Sequence, residues 1–303
     1  MHSINRHTID RRIRRALPRS TYDFAKGVYY QSRRLAGTNR GQGHMLPEFL
    51  IIGSTKCGTT SLHGWLTEHP LIAETKKEIH FFNIHYYLTQ DWYRSQFPLE
   101  RERDEFAAEH GRPFTVGEAT ASYLAHYWTP QRAAKLLPDA RLIVCLRDPV
   151  ARAYSQFHYF RQRGHEELAS FEEAVAREED RLRGEEQRQI DDPHYHSWPL
   201  HCYSYLTGSR YAEQLERWFE VFPREQFLFL NFDQELTAAP QTALDSVYAH
   251  LGLPPHHNAE LPTLNAGSYE PLSEQTSARL AEYFRPHNEH LRQLTGIDFG
   301  WPR

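Results

Sequence analysis

The chain has 303 residues, of which 40% are hydrophobic and 13% aromatic, and this composition is typical of a globular protein rather than a disordered one. No stretch approaches the roughly 18 consecutive apolar residues of a transmembrane helix, and the N terminus lacks the apolar segment of a secretory signal, so neither is expected. The cysteines, Cys57, Cys145 and Cys202, are an odd and sparse set. They do not indicate a disulfide framework, and we expect a cytoplasmic protein.

Charge is divided unevenly along the chain. Residues 1–40 hold ten Lys and Arg against two Asp, a net charge of +8, although the whole chain carries −4. We interpret residues 1–45 as a basic N-terminal extension and residues 46–303 as a single folded domain. A basic arm on an acidic body suggests an anionic surface as partner. The arm is either a solvated tail that packs on the body or a segment in peripheral contact with the inner membrane.

From Pro47 onward, buried-strand patterns alternate with helical patterns. Strands are predicted at Phe49–Gly53, Leu71–Thr75, Phe114–Glu118, Arg141–Leu146 and Gln226–Phe232. Helices are predicted at 58–69, 130–137, 150–163, 170–183, 211–222, 244–251 and from 273 onward, with a bend at Pro286. Residues 84–110 are expected to be partly helical, and 184–200 a polar loop. This alternation predicts an α/β fold with a mainly parallel sheet, whose ligands bind outside the carboxyl ends of its strands.

The most informative segment is Gly53-Ser-Thr-Lys-Cys-Gly-Thr-Thr-Ser61, which follows the first strand and opens a helix. A glycine-rich loop before a helix N terminus is the geometry of a phosphate site. The order differs from the Walker loop of NTPases, because Lys56 lies inside the loop and Thr59 follows the second glycine. We expect anion contacts from Lys56 and from Cys57, Gly58, Thr59, Thr60 and Ser61. For Cys57 the alternative is a small residue that merely fits.

A second segment, Arg147-Asp-Pro-Val-Ala-Arg-Ala-Tyr-Ser155, follows the strand Arg141–Leu146. An NTPase needs an acidic residue after such a strand to help hold magnesium, but the first polar residue here is arginine. Arg147 presents a planar donor fork suited to phosphate, and the hydroxyl of Ser155 is expected to meet the same group. Asp148 is a candidate helix cap, and an ordinary salt bridge is the alternative for Arg147.

A third segment, Lys76-Lys-Glu-Ile-His-Phe-Phe-Asn83, carries a candidate base. On an extended segment, Glu78 and His80 would face the same side. A carboxylate kept ionised by neighbouring lysines can accept a proton from an attacking hydroxyl. The alternatives are a surface Lys–Glu ion pair and a packing histidine.

Together these segments resemble the sulfotransferases that use 3′-phosphoadenosine 5′-phosphosulfate (PAPS), in particular the heparan sulfate-type, glucosaminyl 3-O-sulfotransferase-like branch. The resemblance rests on K-x-G-T-T-S at 56–61, R-D-P-x-x-R-A-x-S at 147–155 and K-E-x-H-F-F at 77–82. It implies a P-loop-like three-layer α/β/α domain. It also implies that Lys56 and the loop amides hold the phosphosulfate, that Arg147 and Ser155 bind the 3′-phosphate, and that Glu78 is the general base, with His80 beside it.

Two segments depart from this family pattern. Ala119 stands where related enzymes carry a lysine after the glutamate, and Gly267, Ser268 and Tyr269 replace a basic loop over the nucleotide. We expect these three residues to cover the cofactor instead, through backbone and ring contacts. The sequence also shows neither the signal anchor nor the C-terminal disulfide of the resembled Golgi enzymes, which favours a bacterial member of the family.

The expected reaction is sulfuryl transfer from PAPS to a hydroxyl, or alternatively an amine, of a carbohydrate or glycoconjugate. A small molecule or a lipid is the alternative acceptor. No metal is expected, because lysine and arginine supply the positive charge, and no nucleic-acid partner is expected on the acidic body. Rival interpretations are a P-loop kinase that uses ATP and a non-enzymatic adaptor that binds through residues 1–40.

Overall fold

The computed structural model describes residues 41–262, 267 and 269–301. Almost all of the predicted basic extension, and Ser268, therefore lie outside the described residues. The boundary expected after residue 45 stays a prediction.

A four-stranded parallel sheet forms the centre of the fold. Its strands are β1 (Phe49–Gly53), β2 (Gly117–Ala119), β3 (Arg141–Leu146) and β4 (Phe227–Asn231), in the spatial order β2-β1-β3-β4. All three pairings are parallel. The mainly parallel sheet expected from the sequence is therefore confirmed. Its carboxyl edge brings together the chain that follows β1, β2, β3 and β4.

Alternate residues of the strands enter two separate cores. Leu50 and Ile52 of β1 pack on one face of the sheet, whereas Phe49 and Ile51 pack on the other. Because side chains of a strand point alternately to opposite faces, a strand buried on both sides needs an unbroken apolar run. All five residues of β1 are buried, as such a central strand requires.

Twelve α-helices lie in the described part of the chain. They are α1 (Thr59–Leu66), α2 (Gln90–Arg94), α3 (Glu100–His110), α4 (Thr129–Leu136), α5 (Pro149–Gln162), α6 (Phe171–Ala176), α7 (Glu178–Leu182), α8 (Glu185–Asp191), α9 (Trp198–Tyr203), α10 (Tyr211–Phe219), α11 (Pro240–His250) and α12 (Glu274–Thr295). Helices α1 and α11 cover one face of the sheet. Helices α4 and α10 and the C-terminal part of α12 cover the other face, which gives the expected three layers.

The structure corrects three local predictions. Residues 184–200 are not a loop, since they contain α8 and the start of α9. Leu71–Thr75 forms only an isolated bridge between Ile72 and Thr115, because the chain becomes exposed at Glu74 and Lys76. The helix predicted from Ser170 to Arg183 is divided into α6 and α7 at Arg177.

Candidate active site

The loop between β1 and α1 is shaped by two residues with left-handed backbone. Gly58 has φ 81°, and a Cβ there would lie 2.8 Å from the ring of Phe232, so only glycine fits. Lys56 has φ 70°, a strained conformation for a residue with a side chain. Helix α1 begins at Thr59, and the first amide that bonds back to Gly58 O is that of Leu62. The amides of the first turn, including those of Thr59 and Thr60, are therefore oriented for an anion.

Lys56 is the cation of this loop. Its Nζ lies 4.4 Å from the ring centroid of Tyr159 on α5. Burial lowers the pKa of Lys56 below its usual value, and the nearby positive charges of Arg147, Arg163 and Lys77 lower it further. A half-buried ammonium group among other cations makes the pocket strongly electropositive, as a doubly charged phosphosulfate requires.

Arg147 reaches the same region from the carboxyl end of β3. Its guanidinium lies over the ring of Phe232, with Cζ 4.6 Å from the centroid, and Nε is 3.9 Å from Asp233 Oδ1. Nε is buried and has no hydrogen-bond partner among the described residues. Since a buried donor without a partner is costly, this atom fits an oxygen of a bound phosphate.

Helix α5 carries Ser155 beside this region. Asp148 begins the helix, and its side chain accepts a hydrogen bond of 2.8 Å from the amide of Ala151, so its expected capping role is confirmed. Ser155 lies two turns further on and is buried. The two predicted partners of a 3′-phosphate, Arg147 and Ser155, thus lie on one strand–helix unit.

Cys57 has its side chain in the protein core. The thiol is fully buried, 3.8 Å from the hydroxyl of Tyr211, and burial raises its pKa. Its amide donates to Ser54 O at 3.2 Å. The side chain thus fits the alternative interpretation, a small residue that fills space beneath the loop.

Glu78 lies within a compact group of polar side chains. Lys77 Nζ donates to Glu78 Oε1 at 2.7 Å, and His80 Nε2 lies 3.3 Å from Glu78 Oε2. Burial lowers the pKa of His80, although the Glu78 carboxylate opposes this effect. The imidazole is therefore mainly neutral near pH 7 and can exchange protons with the carboxylate.

The backbone conformation that brings Glu78 and His80 together differs from the one predicted. The extended conformation expected for this segment is wrong, because both residues have φ 57° in the left-handed region. Ile79 between them is buried and holds the turn against the core. Strained backbone of this kind concentrates at functional sites, where surrounding packing maintains it.

Three further residues near the site were not predicted from the sequence. Arg152 on α5 donates to Thr55 O in the phosphate loop at 3.2 Å and to Tyr205 O and Ser209 Oγ, so it fixes the loop to α5. Tyr159 lies one turn beyond Ser155, and this i, i+4 spacing in the sequence could have indicated that both side chains lie on the same face of α5.

Glu118 of β2 is buried beneath the Glu78 turn, where it accepts hydrogen bonds from the hydroxyls of Tyr93, Thr120 and Tyr123.

The predicted nucleotide-covering residues are described in part. The ring of Tyr269 stacks on His158, with centroids 4.2 Å apart, and contacts Tyr154 edge-on. Gly267 lies next to this ring, where a Cβ would approach it to 2.6 Å. Both residues are therefore beside α5, the helix that carries Ser155, while Ser268 lies outside the described residues.

Comparison with known proteins gives consistent matches. The chain is 27% identical to the membrane-associated sulfotransferase kil1 of Dictyostelium discoideum, over 84% of the chain and 66% of that protein. It is 31% identical to human bifunctional heparan sulfate N-deacetylase/N-sulfotransferase 3, over 82% of the chain. The chain spans only 30% of the length of that relative. A crystal structure of a sulfotransferase from Alicyclobacillus acidocaldarius superposes with a TM-score of 0.63 at 30% identity, covering 86% of the chain and all of the other.

A family model confirms the family expected from the three sequence segments. The sulfotransferase domain matches residues 46–294, which include β1 through nearly all of α12. The matched region contains the loop of Lys56, the strand end of Arg147 and the turn of Glu78. The chain belongs to the sulfotransferase domain family.

Proposed function

We propose that this protein transfers a sulfuryl group from PAPS to a hydroxyl group of a carbohydrate or glycoconjugate. The observation that carries the proposal is the pairing of a half-buried, cation-surrounded Lys56 with Arg147, whose Nε lies 3.9 Å from Asp233 Oδ1 but has no hydrogen-bond partner among the described residues. These groups come from the ends of two adjacent strands, β1 and β3. Such an arrangement suits a ligand with two separate anionic groups, as PAPS has at its 5′ and 3′ positions.

Each residue then has a distinct role. Glu78 accepts the proton of the acceptor hydroxyl. The oxygen of that hydroxyl forms a bond to sulfur, and the bond between sulfur and the bridging phosphate oxygen breaks. Lys77 and His80 orient the Glu78 carboxylate through the contacts described above. Lys56 and the amides of Gly58 to Ser61 stabilise charge on the leaving phosphate, a type of preorganised contact typically worth about 3 kcal/mol per donor. PAPS supplies an already activated sulfuryl group, and Arg147 and Ser155 select its 3′-phosphate.

Both a relative and the composition of the site bear on the class of acceptor. A relative is named as acting on heparan sulfate, which supports a carbohydrate acceptor. Ala119 leaves no lysine side chain at the end of β2, so the site carries one cation fewer than the resembled enzymes. An amine is the alternative acceptor atom, and a small molecule or lipid is the alternative acceptor.

The donor is tested by calorimetric titration with 3′-phosphoadenosine 5′-phosphate (PAP), without magnesium, beside ADP and ATP. We expect PAP alone to bind tightly. Arg147→Ala should weaken PAP binding about ten- to a hundred-fold, the usual loss for a hydrogen bond to a charged group. Preference for ATP with magnesium would replace the proposal by a P-loop kinase.

The base is tested by Glu78→Gln, which keeps the shape of the side chain but removes its basicity. We expect turnover to fall about 10²- to 10⁴-fold, as for loss of a general base, while PAP binding is retained. Lys76→Gln is the matched control, because Lys76 is exposed in the same segment. Normal turnover of the Glu78→Gln variant would assign proton transfer to another group.

The protein is also proposed to work at the inner membrane through peripheral contact of residues 1–40, from the cytoplasmic side. In the described part of the chain, no helix is both long and apolar enough to cross a bilayer. The proposal is supported by the +8 charge of the arm and by a relative described as membrane-associated.

A further inference from the structure

Tyr159 is placed where two cations share its ring. It lies on α5 one helical turn after Ser155, and its phenol is half-buried. Lys56 Nζ is 4.4 Å from the ring centroid, and Arg163 Cζ is 4.3 Å from it. Both distances are within the roughly 6 Å over which a cation is attracted to an aromatic face.

Lys56 needs such a contact, since its other charged neighbours repel it. The positive groups that act on its ammonium are Arg147 at the end of β3, Arg163 at the C-cap of α5, and Lys77 before the Glu78 turn. The adjacent Cys57 acts in the opposite direction and raises the pKa of Lys56. The three cations and burial all oppose the charged form. Within the described residues, no carboxylate forms an ion pair with Lys56.

We propose that Tyr159 is a positioning residue, whose ring holds the ammonium group of Lys56 charged and in place before the nucleotide arrives. This inference rests on the proposed function, in which Lys56 binds the 5′-phosphate side of the donor. The negative face of the ring offsets part of the repulsion without neutralising the charge, whereas a carboxylate at this point would compete with the phosphate. An aromatic ring therefore preserves the anion site.

The test is PAP binding measured by calorimetry from about pH 7 to 10.5, the range in which a lysine loses its proton. Tyr159→Phe keeps the ring, and we expect its affinity to stay within about two-fold of wild type. Tyr159→Leu keeps the bulk but removes the ring, and we expect binding about ten-fold weaker, as for loss of a partly desolvated cation–ring contact. Its alkaline loss of binding should also begin at lower pH, because the ammonium is less stabilised.

Arg163→Gln should shift the alkaline loss of binding in the opposite direction. Removing this like charge favours the protonated form of Lys56, so the alkaline loss of binding should move to higher pH. Tyr203→Leu is the matched control, because it removes the ring under Arg181, at 4.4 Å, but not the ring under Lys56. We expect no change in the pH profile of this control. A purely space-filling Tyr159 would leave the pH profile of Tyr159→Leu at that of wild type.

The outcomes separate the two proposals. If wild-type protein fails to bind PAP at any pH, the proposed function fails. If wild type binds PAP but Tyr159→Leu matches it in affinity and pH profile, only the role of Tyr159 is overturned. If Tyr159→Leu does not fold, as judged by circular dichroism, the decision passes to Tyr159→Phe. A ten-fold loss of affinity in Tyr159→Phe, which keeps the ring, would then refute the ring contact.

Discussion

Glu118 shows how a single buried carboxyl group supports the turn of the candidate base. Its two oxygens accept hydrogen bonds from three hydroxyl groups. One of these donors, Thr120 Oγ1, itself accepts a hydrogen bond from the amide of His80. The hydroxyl of Tyr123, another donor, accepts from the amide of Phe82 at 3.3 Å. Glu118 therefore holds both ends of the 80–82 segment through intermediaries, without contacting the reacting groups.

The same carboxyl group makes folding stability depend on pH. Burial raises the pKa of Glu118 from 4.5 to about 7, and its three hydroxyl donors only partly offset this effect. As the pH rises, Glu118 therefore loses its proton at a lower pH in the unfolded chain than in the folded protein. Its contribution to stability is complete below pH 4.5 and is lost as the pH rises towards 7. The expected loss over this interval is about 3 kcal/mol.

We therefore expect Glu118→Gln to flatten the pH dependence of unfolding. A glutamine stays neutral, so the free energy of unfolding should fall less between about pH 5 and pH 7 than it does in wild type. Urea denaturation of both proteins at several pH values in this range measures the difference. Parallel curves for the two proteins would mean that Glu118 is already ionised at pH 5.

Residue-level prediction from the sequence worked where chemistry follows a short motif. The loop of Lys56 and the strand end of Arg147 lie where the motifs indicate, because each directly follows an apolar strand. Glu118 and Tyr159 were missed as functional residues, since their importance comes from contacts between distant segments. Glu118 meets Tyr93 across 25 residues, and Tyr159 meets Lys56 across a strand–helix unit.

At the scale of elements, α12 tolerates a proline in its interior. The helix runs unbroken for 22 residues from Glu274 to Thr295 and includes Pro286, which is exposed. Proline removes one backbone hydrogen bond and crowds the preceding turn. Burial of Leu280, Phe284 and Leu291 offsets this cost by fixing the helix on both sides of the proline.

Pro286→Ala is accordingly expected to stabilise the protein. The restored amide and relieved crowding should raise the free energy of unfolding by about 1 to 2 kcal/mol, after allowing for a more flexible unfolded chain. Arg279→Ala is the control, since it is an exposed interior position without a proline and should change stability by less than about 0.5 kcal/mol. Urea denaturation midpoints measure both, and a lower midpoint for Pro286→Ala than for wild type would contradict the argument.

Elements were predicted well where periodicity is long and poorly where it is short. The strands β1, β3 and β4 and the helices α5 and α10 each bury a regular set of apolar side chains. In contrast, α8 is seven residues long and buries only Gln189, so its sequence shows no apolar stripe. It is held instead by tertiary contacts, including a 2.8 Å hydrogen bond from Trp128 Nε1 to Gln189 O.

At the scale of the whole molecule, charge separation suggests how the protein meets its acceptor. Residues 1–40 carry +8, so the remaining chain must carry −12 to give the total of −4. An anionic membrane attracts each basic residue near its surface by about 1 kcal/mol and repels the acidic body. The arm should therefore determine both membrane affinity and the orientation of the site.

Deleting residues 1–40 tests this arrangement. We expect the truncated protein to lose co-sedimentation with vesicles containing anionic phosphatidylglycerol, while sulfation of a soluble acceptor is unchanged. Binding of the intact chain should weaken at high salt, because exposed charges are screened within about 8 Å at physiological ionic strength. Replacing the ten basic residues with glutamine should have the same effect as deletion if charge is the cause. Retained vesicle binding without the arm would assign membrane contact to the remaining chain, and lost turnover on the soluble acceptor would assign residues 1–40 a part in catalysis.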